Sequence, residues 1–440
     1  MKQLRVGILG CGTVGTGTAR LLMAQQNVLR RRTGVDIKLV RIADRIFAND
    51  DHGKTFKGVQ LVDDAAAVIE AEDIDVVIEL IGGLEPARSF VIDAMKRGKH
   101  VVTANKALVA VHGNDILLEA IRRKVDFGFE ASVAGAVPVI KAVRESLAAN
   151  TVVEIHGILN GTCNYILTQM REEGLPFDEV LKTAQEKGYA EADPTFDVDG
   201  IDTAHKLAIL SALAFGTPIV YDKVFIEGIR SISDTDIKWA TRMGFKIKLL
   251  GITQLSKDGL ELRVHPTMVS ADSMVGSVED VFNAVFIKGD FSDTTMYYGR
   301  GAGEEPTASA VVADIIDIAR NLKANVDGHR VAPFSYLPDE LRSCTVRSMD
   351  KLTGDYYIRL TVDDRPGVLA DITAIFKEEG ISIKRLQQEA RSTPYNDPVP
   401  LVMVTHRTRE NQVQGALRKV ANLDAVKEKP HLIRIENELA

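Results

Sequence analysis

The residues most able to do chemistry are concentrated in one stretch, residues 191–206, which reads EADPTFDVDGIDTAHK. An apolar run, residues 207–215, follows directly, so the charges stand at the start of an element that folding would bury. Polar groups at the mouth of an apolar element often line a ligand pocket. The stretch therefore predicts the site to which the rest of the chain brings its ligands. Its charged members are Glu191, Asp193, Asp197, Asp199, Asp202 and Lys206.

Asp202 and Lys206 are four residues apart, which places both side chains on one face of a helix. One interpretation is an exposed ion pair that stabilises the helix by roughly 0.3–0.5 kcal/mol. The other is a buried pair, because the helix becomes apolar directly after Lys206. The helix dipole disfavours a cation near the N-terminus, so the lysine proton would be readily available to a carbonyl. Glu191, Asp197 and Asp199 could bind an ammonium group or cap the helix.

A glycine loop near the N-terminus has the spacing of a dinucleotide-binding turn. Residues 4–9 form an apolar strand pattern, and GCGTVG follows, which matches G-x-G-x-x-G and precedes a helix pattern. Glycine lets the backbone approach a pyrophosphate, and the helix N-terminus offers unpaired N–H groups to its charge. An ordinary strand-to-helix turn is the alternative. We expect the cofactor to contact Gly10, Gly12, Thr13, Val14 and Gly15.

The second strand pattern, residues 37–42, ends beside groups that could select the cofactor. Asp44 stands where an acid binds the ribose 2′-hydroxyl of NAD in such folds. Arg41 and Arg45 flank it, and an arginine at this point can hold the 2′-phosphate of NADP. The sequence therefore indicates NAD or NADP without distinguishing the two.

Three further strand patterns, residues 75–80, 100–103 and 125–130, alternate with helical stretches. This rhythm is typical of an α/β domain with a Rossmann-type, doubly wound parallel sheet. We expect residues 1–135 to form this dinucleotide-binding domain.

The ends of these strands carry groups that a ligand at the carboxyl edge of the sheet would meet. Gly82 follows the third strand and Thr103 ends the fourth, so both are expected at the cofactor. Lys106 could contact the cofactor, or a carboxylate or carbonyl of the substrate. A solvated loop lysine is the alternative.

Residues 130–138 (EASVAGAVP) combine the carboxylate of Glu130 with small residues that leave carbonyl oxygens accessible. Such a set of ligands suits a hard monovalent cation, whereas a divalent ion would want more carboxylates. The alternative is a strand-to-loop passage that contains a glutamate by chance.

The middle of the chain, residues 136–330, mixes strands and helices without a βαβ rhythm, which indicates an α+β substrate domain. Asn160, Gly161 and Thr162 form a polar turn before a helix and could offer backbone N–H and hydroxyl groups to a small ligand. Gly303 ends a second glycine loop, and the helix at 306–322 is expected to return to the nucleotide domain. Strand patterns lie at 151–159, 260–268 and 284–287, and helix patterns at 139–148, 164–173 and 202–215.

The C-terminal part follows a proline-containing linker, residues 331–350. Residues 351–440 then show a βαββαβ pattern, which predicts a ferredoxin-like module. Its first helix pattern, residues 368–379, places Val368, Leu369 and three further apolar residues on one face. The module contains no evident catalytic constellation, so a regulatory or ligand-binding role is expected.

Composition excludes several classes of function. The chain has 440 residues, a hydrophobic fraction of 45% and a net charge of −7, which argue against nucleic acid as a main partner. No apolar run approaches the roughly 18 residues needed to span a bilayer. The cysteines, Cys11, Cys163 and Cys344, are too few and scattered for a disulfide framework. With a strand beginning near residue 4, no room is left for a signal peptide, and we expect a cytoplasmic protein.

Several motifs together resemble the homoserine dehydrogenases of the long type, which carry a C-terminal ACT domain. They are GILGCGTVG, TANKAL, EASVAGAVP, GILNGTCNYIL and, above all, GYAEADPTFDVDGIDTAHK, with the spacing D-x-x-G-x-D-x-x-x-K. RPGVLADI, residues 365–372, is typical of ACT domains, which bind amino acids. The resemblance extends over nearly the whole chain. The turn NGT differs slightly from the SGT found in some relatives.

The resemblance implies reversible hydride transfer between NAD(P)H and L-aspartate 4-semialdehyde, which gives L-homoserine on the route to threonine, methionine and isoleucine. It implies Lys206 as proton donor, directly or through water, with Asp202 orienting it and Lys106 assisting. Asp197, Glu191 and Tyr189 would hold the amino acid. A sodium-like structural ion would bind Glu130 and the carbonyls of Val133, Gly135 and Val137. Threonine at the ACT domain and a homodimer or homotetramer are also implied.

Two other functions are compatible with parts of the sequence. A semialdehyde dehydrogenase that forms an acyl-enzyme would need a nucleophilic cysteine and a base. Cys163 follows a glycine turn, and His156 is the base that could lie near it. A nucleotide-sensing regulator with an amino-acid-binding module would bind the cofactor without turnover.

Overall fold

The computed structural model describes residues 2–48, 56–326, 330–388 and 398–437. Residues 1, 49–55, 327–329, 389–397 and 438–440 lie outside this description. Among the described helices, none is long and apolar enough to cross a membrane.

The N-terminal part is a parallel sheet of six strands in the order β3-β2-β1-β4-β5-β6. Every neighbouring pair of strands is parallel. The strands are β1 (Gln3–Leu9), β2 (Asp36–Ala43), β3 (Gln60–Val62), β4 (Val76–Glu79), β5 (His100–Thr103) and β6 (Phe127–Gly128). The helices are α1 (Thr13–Ala24), α2 (Gln26–Thr33), α3 (Ala66–Ile69), α4 (Ala87–Lys96) and α5 (Lys106–Arg123).

The strands of this sheet are apolar on both faces because helices cover both of them. Val6 and Ile8 of β1 and Ile78 of β4 are fully buried. The Rossmann-type fold class expected from the sequence is confirmed. The short β3 was missed, and β6 is much shorter than the predicted 125–130, because a 3₁₀ turn begins at Glu130.

The middle part contributes six strands to a large mixed sheet whose path runs β12-β11-β7-β9-β10 at one end. The strands are β7 (Val152–Ile158), β8 (Phe225–Ile226), β9 (Phe245–Ser256), β10 (Gly259–Ser270), β11 (Phe282–Gly289) and β12 (Asp293–Arg300). The helices are α6 (Val139–Lys141), α7 (Gly161–Glu173), α8 (Phe177–Glu186), α9 (Thr195–Val198), α10 (Ile201–Phe215), α11 (Asp234–Arg242) and α12 (Glu304–Ala324). A π-helical turn at Ala142–Ser146 follows α6, where the sequence predicted one regular helix.

The helix α12 follows the mixed-sheet strands in the chain but packs on α1 of the N-terminal part. Its residues Val311 and Ile315 share an apolar core with Val6 and Ile8 of β1. The chain thus passes through the mixed-sheet domain and then returns to the nucleotide domain.

The C-terminal module has the expected βαββαβ order with one additional short strand. Its elements are β13 (Thr353–Val362), α13 (Val368–Glu378), β14 (Ile383–Gln388), β15 (Val399–Thr405), β16 (Thr408–Arg409), α14 (Glu410–Val420) and β17 (His431–Glu436). The ferredoxin-like strand order β17-β13-β15-β14 is confirmed. Leu369 is 41% exposed, so its predicted place on the buried face of α13 is wrong. It follows Val368 by one position and points away from the core that Val368 and Ile372 enter.

The mixed-sheet domain and the C-terminal module share one sheet. Strand β17 pairs in parallel with β10, with Thr267 opposite Arg434, Met268 opposite Ile435, and Val269 opposite Glu436. Eleven described strands therefore form a continuous hydrogen-bonded structure.

Candidate active site

The acidic stretch leads into α10, which is buried on nearly all sides. Gly200 caps the helix with φ of +83°, a conformation that favours glycine. Asp202 is 1% exposed and Lys206 7% exposed. An exposed ion pair is therefore the wrong interpretation of their spacing.

Asp202 lies between two lysines, and each carboxylate oxygen meets one of them. Lys206 Nζ donates to Asp202 Oδ2 at 2.7 Å and to the carbonyl of Leu159 at 2.7 Å. Lys106 Nζ is 2.6 Å from Asp202 Oδ1. An ammonium group has three N–H donors, so Lys206 keeps one donor beyond these two partners.

The two lysines differ in charge environment. Burial lowers the pKa of Lys206, and the charge of Lys106 lowers it further, while Asp202 offsets only part of this. Burial also acts on Lys106, but attraction to Asp202, Asp197 and Glu191 outweighs it and raises the pKa of Lys106. Burial would raise the pKa of Asp202, but the two lysines hold it well below the usual value. Lys206 is thus the more acidic ammonium group of the pair.

Asn160 joins a second carboxylate to this cluster. Its Nδ2 donates to Asp197 Oδ1 at 2.8 Å and to Asp202 Oδ2 at 2.9 Å. Its Oδ1 accepts from the backbone N–H of Cys163 at 2.8 Å and so caps α7. Burial and the charge of Asp202 raise the pKa of Asp197 despite the bond from Asn160.

The opening of the site is formed by the loop before α9. Thr162 Oγ1 donates to the carbonyl of Tyr189 at 2.7 Å, which ties the loop to the start of α7. Tyr189 and Glu191 are exposed. Gly161 approaches the turn before β11 so closely that a Cβ there would lie 2.6 Å from the carbonyl oxygen of Val281. Phe196 lies on Lys106, whose Nζ is 5.3 Å from the ring centre.

The first glycine loop has the close packing that its spacing predicts. Gly10 has φ of +96°, and a Cβ there would lie 2.6 Å from the carbonyl oxygen of Leu80. A Cβ on Gly15 would lie 2.0 Å from the Gly10 carbonyl oxygen. Gly12 caps α1, and the helix begins at Thr13 and Val14, so unpaired N–H groups are presented at this edge of the sheet.

The acid after β2 is held in place by two backbone N–H groups. Asp44 Oδ2 accepts from Cys11 at 2.5 Å, and Oδ1 accepts from Ile46 at 3.0 Å. Arg45 is exposed beside it. Arg41 instead binds Gln60 Oε1 at 2.9 Å, so its guanidinium group is directed to β3.

A buried glutamate organises the ends of β4 and β5. Glu79 Oε1 accepts from the backbone of Gly82 at 3.0 Å, and Oε2 accepts from Thr103 Oγ1 at 2.6 Å. Asn105 donates its backbone N–H to Thr103 Oγ1 at 2.9 Å and caps α5, the helix that Lys106 begins. The network therefore connects the cofactor edge of the sheet to one of the two lysines.

Gly303 occupies the N-cap of α12 with φ of +123°. Glu304, the first residue of the helix, accepts from Arg20 of α1 at 2.9 Å. The second glycine loop therefore lies beside the first cofactor helix.

The loop after β6 has oxygen atoms directed inward. Both carboxylate oxygens of Glu130 accept backbone N–H groups, from Ile140 at 3.0 Å and Lys141 at 2.9 Å. Val133 and Gly135 are buried, and neither carbonyl accepts a hydrogen bond within the described residues, while that of Val137 accepts from Val139. A carboxylate and unpaired carbonyls are a donor set that fits a monovalent cation. The described residues contain no group of three or more His, Cys, Asp or Glu suited to a metal.

Family models match three segments of the chain. They are the homoserine dehydrogenase NAD-binding domain over residues 10–130, homoserine dehydrogenase over 138–316 and the ACT domain over 356–425. The homoserine dehydrogenases of Neisseria gonorrhoeae and Pseudomonas aeruginosa are 43% and 44% identical over 437 residues, 99% of each chain. The chain belongs to the homoserine dehydrogenase family.

A solved homoserine dehydrogenase from Thiobacillus denitrificans is similar over 99% of both chains, with 47% identity and a TM-score of 0.92. The family resemblance seen in the sequence motifs is confirmed. The chain is an oxidoreductase of the homoserine dehydrogenase class with an NAD-binding domain and a C-terminal ACT domain.

The residues singled out from the sequence fall into three places in the structure. Asp202, Lys206 and Lys106 form one cluster, to which Asn160 joins Asp197. Gly10 to Gly15, Asp44, Gly82, Thr103 and Gly303 line the carboxyl edge of the parallel sheet and the adjoining helix ends. The Glu130 loop is a separate feature, which packs against Gly301.

Sequence reasoning placed Asn160 in a turn that could bind a small ligand but missed its contacts with Asp197 and Asp202. It missed Asn105 and Glu79 as site residues. Asn160 and Asn105 share a signal that could have indicated them, since each precedes a helix at a capping position. Glu79 ends an apolar strand that the sheet buries, where an acid needs specific donors.

The acyl-enzyme alternative is wrong for this chain. Cys163 is fully buried, and its Sγ donates to the carbonyl of Asp197. Burial and nearby acids raise the pKa of this thiol well above its usual value, whereas a nucleophile needs a lowered one. His156 Nε2 pairs with Glu154 at 2.8 Å instead.

Proposed function

We propose that the protein catalyses reversible hydride transfer between NAD(P)H and L-aspartate 4-semialdehyde to give L-homoserine. The observation that carries the proposal is the cluster in which the buried Asp202 pairs with the buried Lys206 and the half-buried Lys106. Lys106 begins α5, the helix that follows β5 at the cofactor edge of the parallel sheet. Family membership supports the substrate, because the relatives are named for this reaction.

Lys206 is the proton donor to the reacting carbonyl in this proposal. Its third N–H is the one not committed to Asp202 or Leu159, and its lowered pKa favours release of that proton. Lys106, which remains charged, stabilises the developing negative oxygen. Asp202 holds both ammonium groups at fixed positions.

The amino-acid end of the substrate binds at the loop side of the cluster. Asp197 and Glu191 attract the ammonium group, while Gly161, Thr162 and Tyr189 shape the opening. The exposed position of Glu191 and its electrostatic effect on Lys106 support this arrangement.

NAD(P) supplies or accepts the hydride. The residues that would hold it are the glycine loop with Thr13 and Val14, then Asp44 and Arg45, and the segment from Gly82 through Thr103 to Lys106, with Gly303. Asp44 supports binding of a ribose hydroxyl, and the exposed Arg45 supports a phosphate. The experiment below therefore uses both NADH and NADPH.

Three further properties belong to the proposal. A sodium-like ion binds Glu130 with the carbonyls of Val133, Gly135 and Val137 and orders the loop between the two domains. The ACT module binds threonine and lowers activity. The chain works as a cytoplasmic homodimer or homotetramer.

The proposal is tested by initial rates of NADH and NADPH oxidation by the purified full-length protein, with and without aspartate semialdehyde and threonine. We expect oxidation only when the semialdehyde is present. Cofactor binding with no turnover would instead support a nucleotide-sensing regulator.

A further inference from the structure

The amide of Asn160 occupies an unusual position between two carboxylates. One nitrogen donates both of its hydrogens, to Asp197 and Asp202, and the residue is 5% exposed. Because Oδ1 accepts from the Cys163 N–H at the start of α7, the amide can only present its NH₂ group to the two acids.

We propose that Asn160 is a positioning residue for the reaction, which holds the substrate-binding Asp197 and the lysine-binding Asp202 as two ionised groups at close range. The inference rests on the proposed function, since it assigns Asp197 to the substrate ammonium group.

Two observations support this role. Asn160 follows Leu159, whose carbonyl holds Lys206, so adjacent residues at the end of β7 fix both Lys206 and Asp202. Asp202 has two lysines to stabilise its charge. Within the described residues, Asn160 is the one side chain hydrogen-bonded to the carboxylate of Asp197. Lys106 and Lys206 also favour the charged form of Asp197, but burial and the charge of Asp202 raise its pKa, and loss of the Asn160 donor would raise it further.

Three substitutions separate this role from helix capping. Asn160→Ser keeps an oxygen that can cap α7 but removes the NH₂ group, and the single hydrogen of its shorter hydroxyl cannot bond both acids. Asn160→Asp also keeps a capping oxygen and replaces the donor with a third carboxylate. Asn160→Ala removes the cap and the donor together.

The measurement is kcat/KM for aspartate semialdehyde against pH, with the melting temperature of each variant as a check on folding. For Asn160→Ser we expect the acidic limb to move up by about one pH unit, because Asp197 loses the donor that stabilises its charge. KM should rise more than kcat falls. Asn160→Asp should move the limb further. The melting temperature should fall in Asn160→Ala, which loses the cap, and in Asn160→Asp, which buries a third carboxylate, but should change least in Asn160→Ser.

The double substitution Asn160→Ser with Asp197→Asn tests whether Asp197 is the carboxylate that titrates in the acidic limb. Once Asp197 is replaced by a neutral residue, Asn160→Ser should not move that limb any further. An active wild type with an unshifted acidic limb in Asn160→Ser and Asn160→Asp would overturn the role of Asn160 and leave the substrate assignment intact. Absence of turnover by the wild type would remove the substrate assignment itself.

Discussion

At the residue scale, one buried carboxylate binds two lysines whose pKa values are shifted in opposite directions. Asp202 binds both ammonium groups, yet Lys206 is the more buried and has the lowered pKa. A buried charge is tolerated only with such partners, so removal of either lysine changes the other.

Replacement of Lys206 tests the proton donor. Lys206→Met keeps most of the volume and removes the ammonium group, so we expect kcat to fall by about 10²-fold or more. Lys238→Ala is the matched control, because Lys238 also pairs with an aspartate four residues before it, at 2.8 Å, but on the surface. A near-normal kcat for Lys206→Met would make that lysine structural.

The pH dependence of the reduction follows from the same pair. The ammonium form of Lys206 is the donor, so the rate should fall as pH rises through a pKa below the usual lysine value. Lys106 lowers that pKa by charge repulsion; Lys106→Met should therefore move the alkaline limb of kcat to higher pH as well as reduce kcat. An alkaline limb that stays in place would separate Lys206 from the titration.

The pair Asp202 and Lys206 could be predicted because helical spacing and the apolar run after it are local properties. The contacts of Asn160 with residues 197 and 202 could not, because they depend on how β7, α9 and α10 meet. The sequence also left open whether Asp202 and Lys206 form an exposed or a buried ion pair, because the burial of both depends on the fold.

At the element scale, a buried acid of α11, Asp236, binds this helix to the C-terminal module. Asp236 is fully buried and accepts from Tyr357 Oη at 3.0 Å and from Arg359 at 2.8 Å. Burial opposes ionisation, but Arg359 and His431 lower the pKa of Asp236. The contact joins α11 to β13 across the domain boundary.

Asp236→Ala should destabilise the protein by roughly 3–5 kcal/mol, because Arg359 would be left without its main partner. The measurement is the free energy of unfolding in urea. Asp234→Ala on the same helix removes an exposed partner of Lys238, so a change of at most about 1 kcal/mol is expected. Equal effects of the two substitutions would contradict the proposed importance of the buried contact.

Elements with a regular hydrophobic pattern could be predicted from the sequence, whereas the strand β9 was missed. Lys246 and Lys248 interrupt its apolar pattern, and Lys248 is nevertheless 1% exposed. Its ammonium group is paired with Glu279 at 3.1 Å. A buried lysine is compatible with a central strand only when such a partner comes from elsewhere in the chain.

At the scale of the whole molecule, the parallel pairing of β17 with β10 makes the C-terminal module part of the central sheet. Arg434 of β17 reinforces the junction, with Glu227 at 2.8 Å and Glu410 at 2.7 Å. No local sequence signal indicates this pairing, because the partners are far apart in the chain and each domain pattern is complete without it.

Deletion from Ser348 onward should therefore not give a cleanly deregulated enzyme. It uncovers the backbone of β10 at residues 267–269 and leaves Asp236 and Glu227 without their arginine partners. We expect a lower melting temperature and aggregation during size-exclusion chromatography, compared with the full chain. A monodisperse fragment with the melting temperature of the full chain would show that the junction contributes little.

The packing of α12 on α1 has a consequence for the order in which the protein folds. The ribosome releases residues 13–24 long before residues 304–324, and the apolar core between β1 and α12 cannot close until the later segment has emerged. Val6 and Ile8 of the nucleotide domain therefore stay incompletely covered while the ribosome synthesises nearly the whole mixed-sheet domain. Contacts of such long sequence separation form slowly. A nascent chain that stops before residue 304 would present this apolar surface to chaperones.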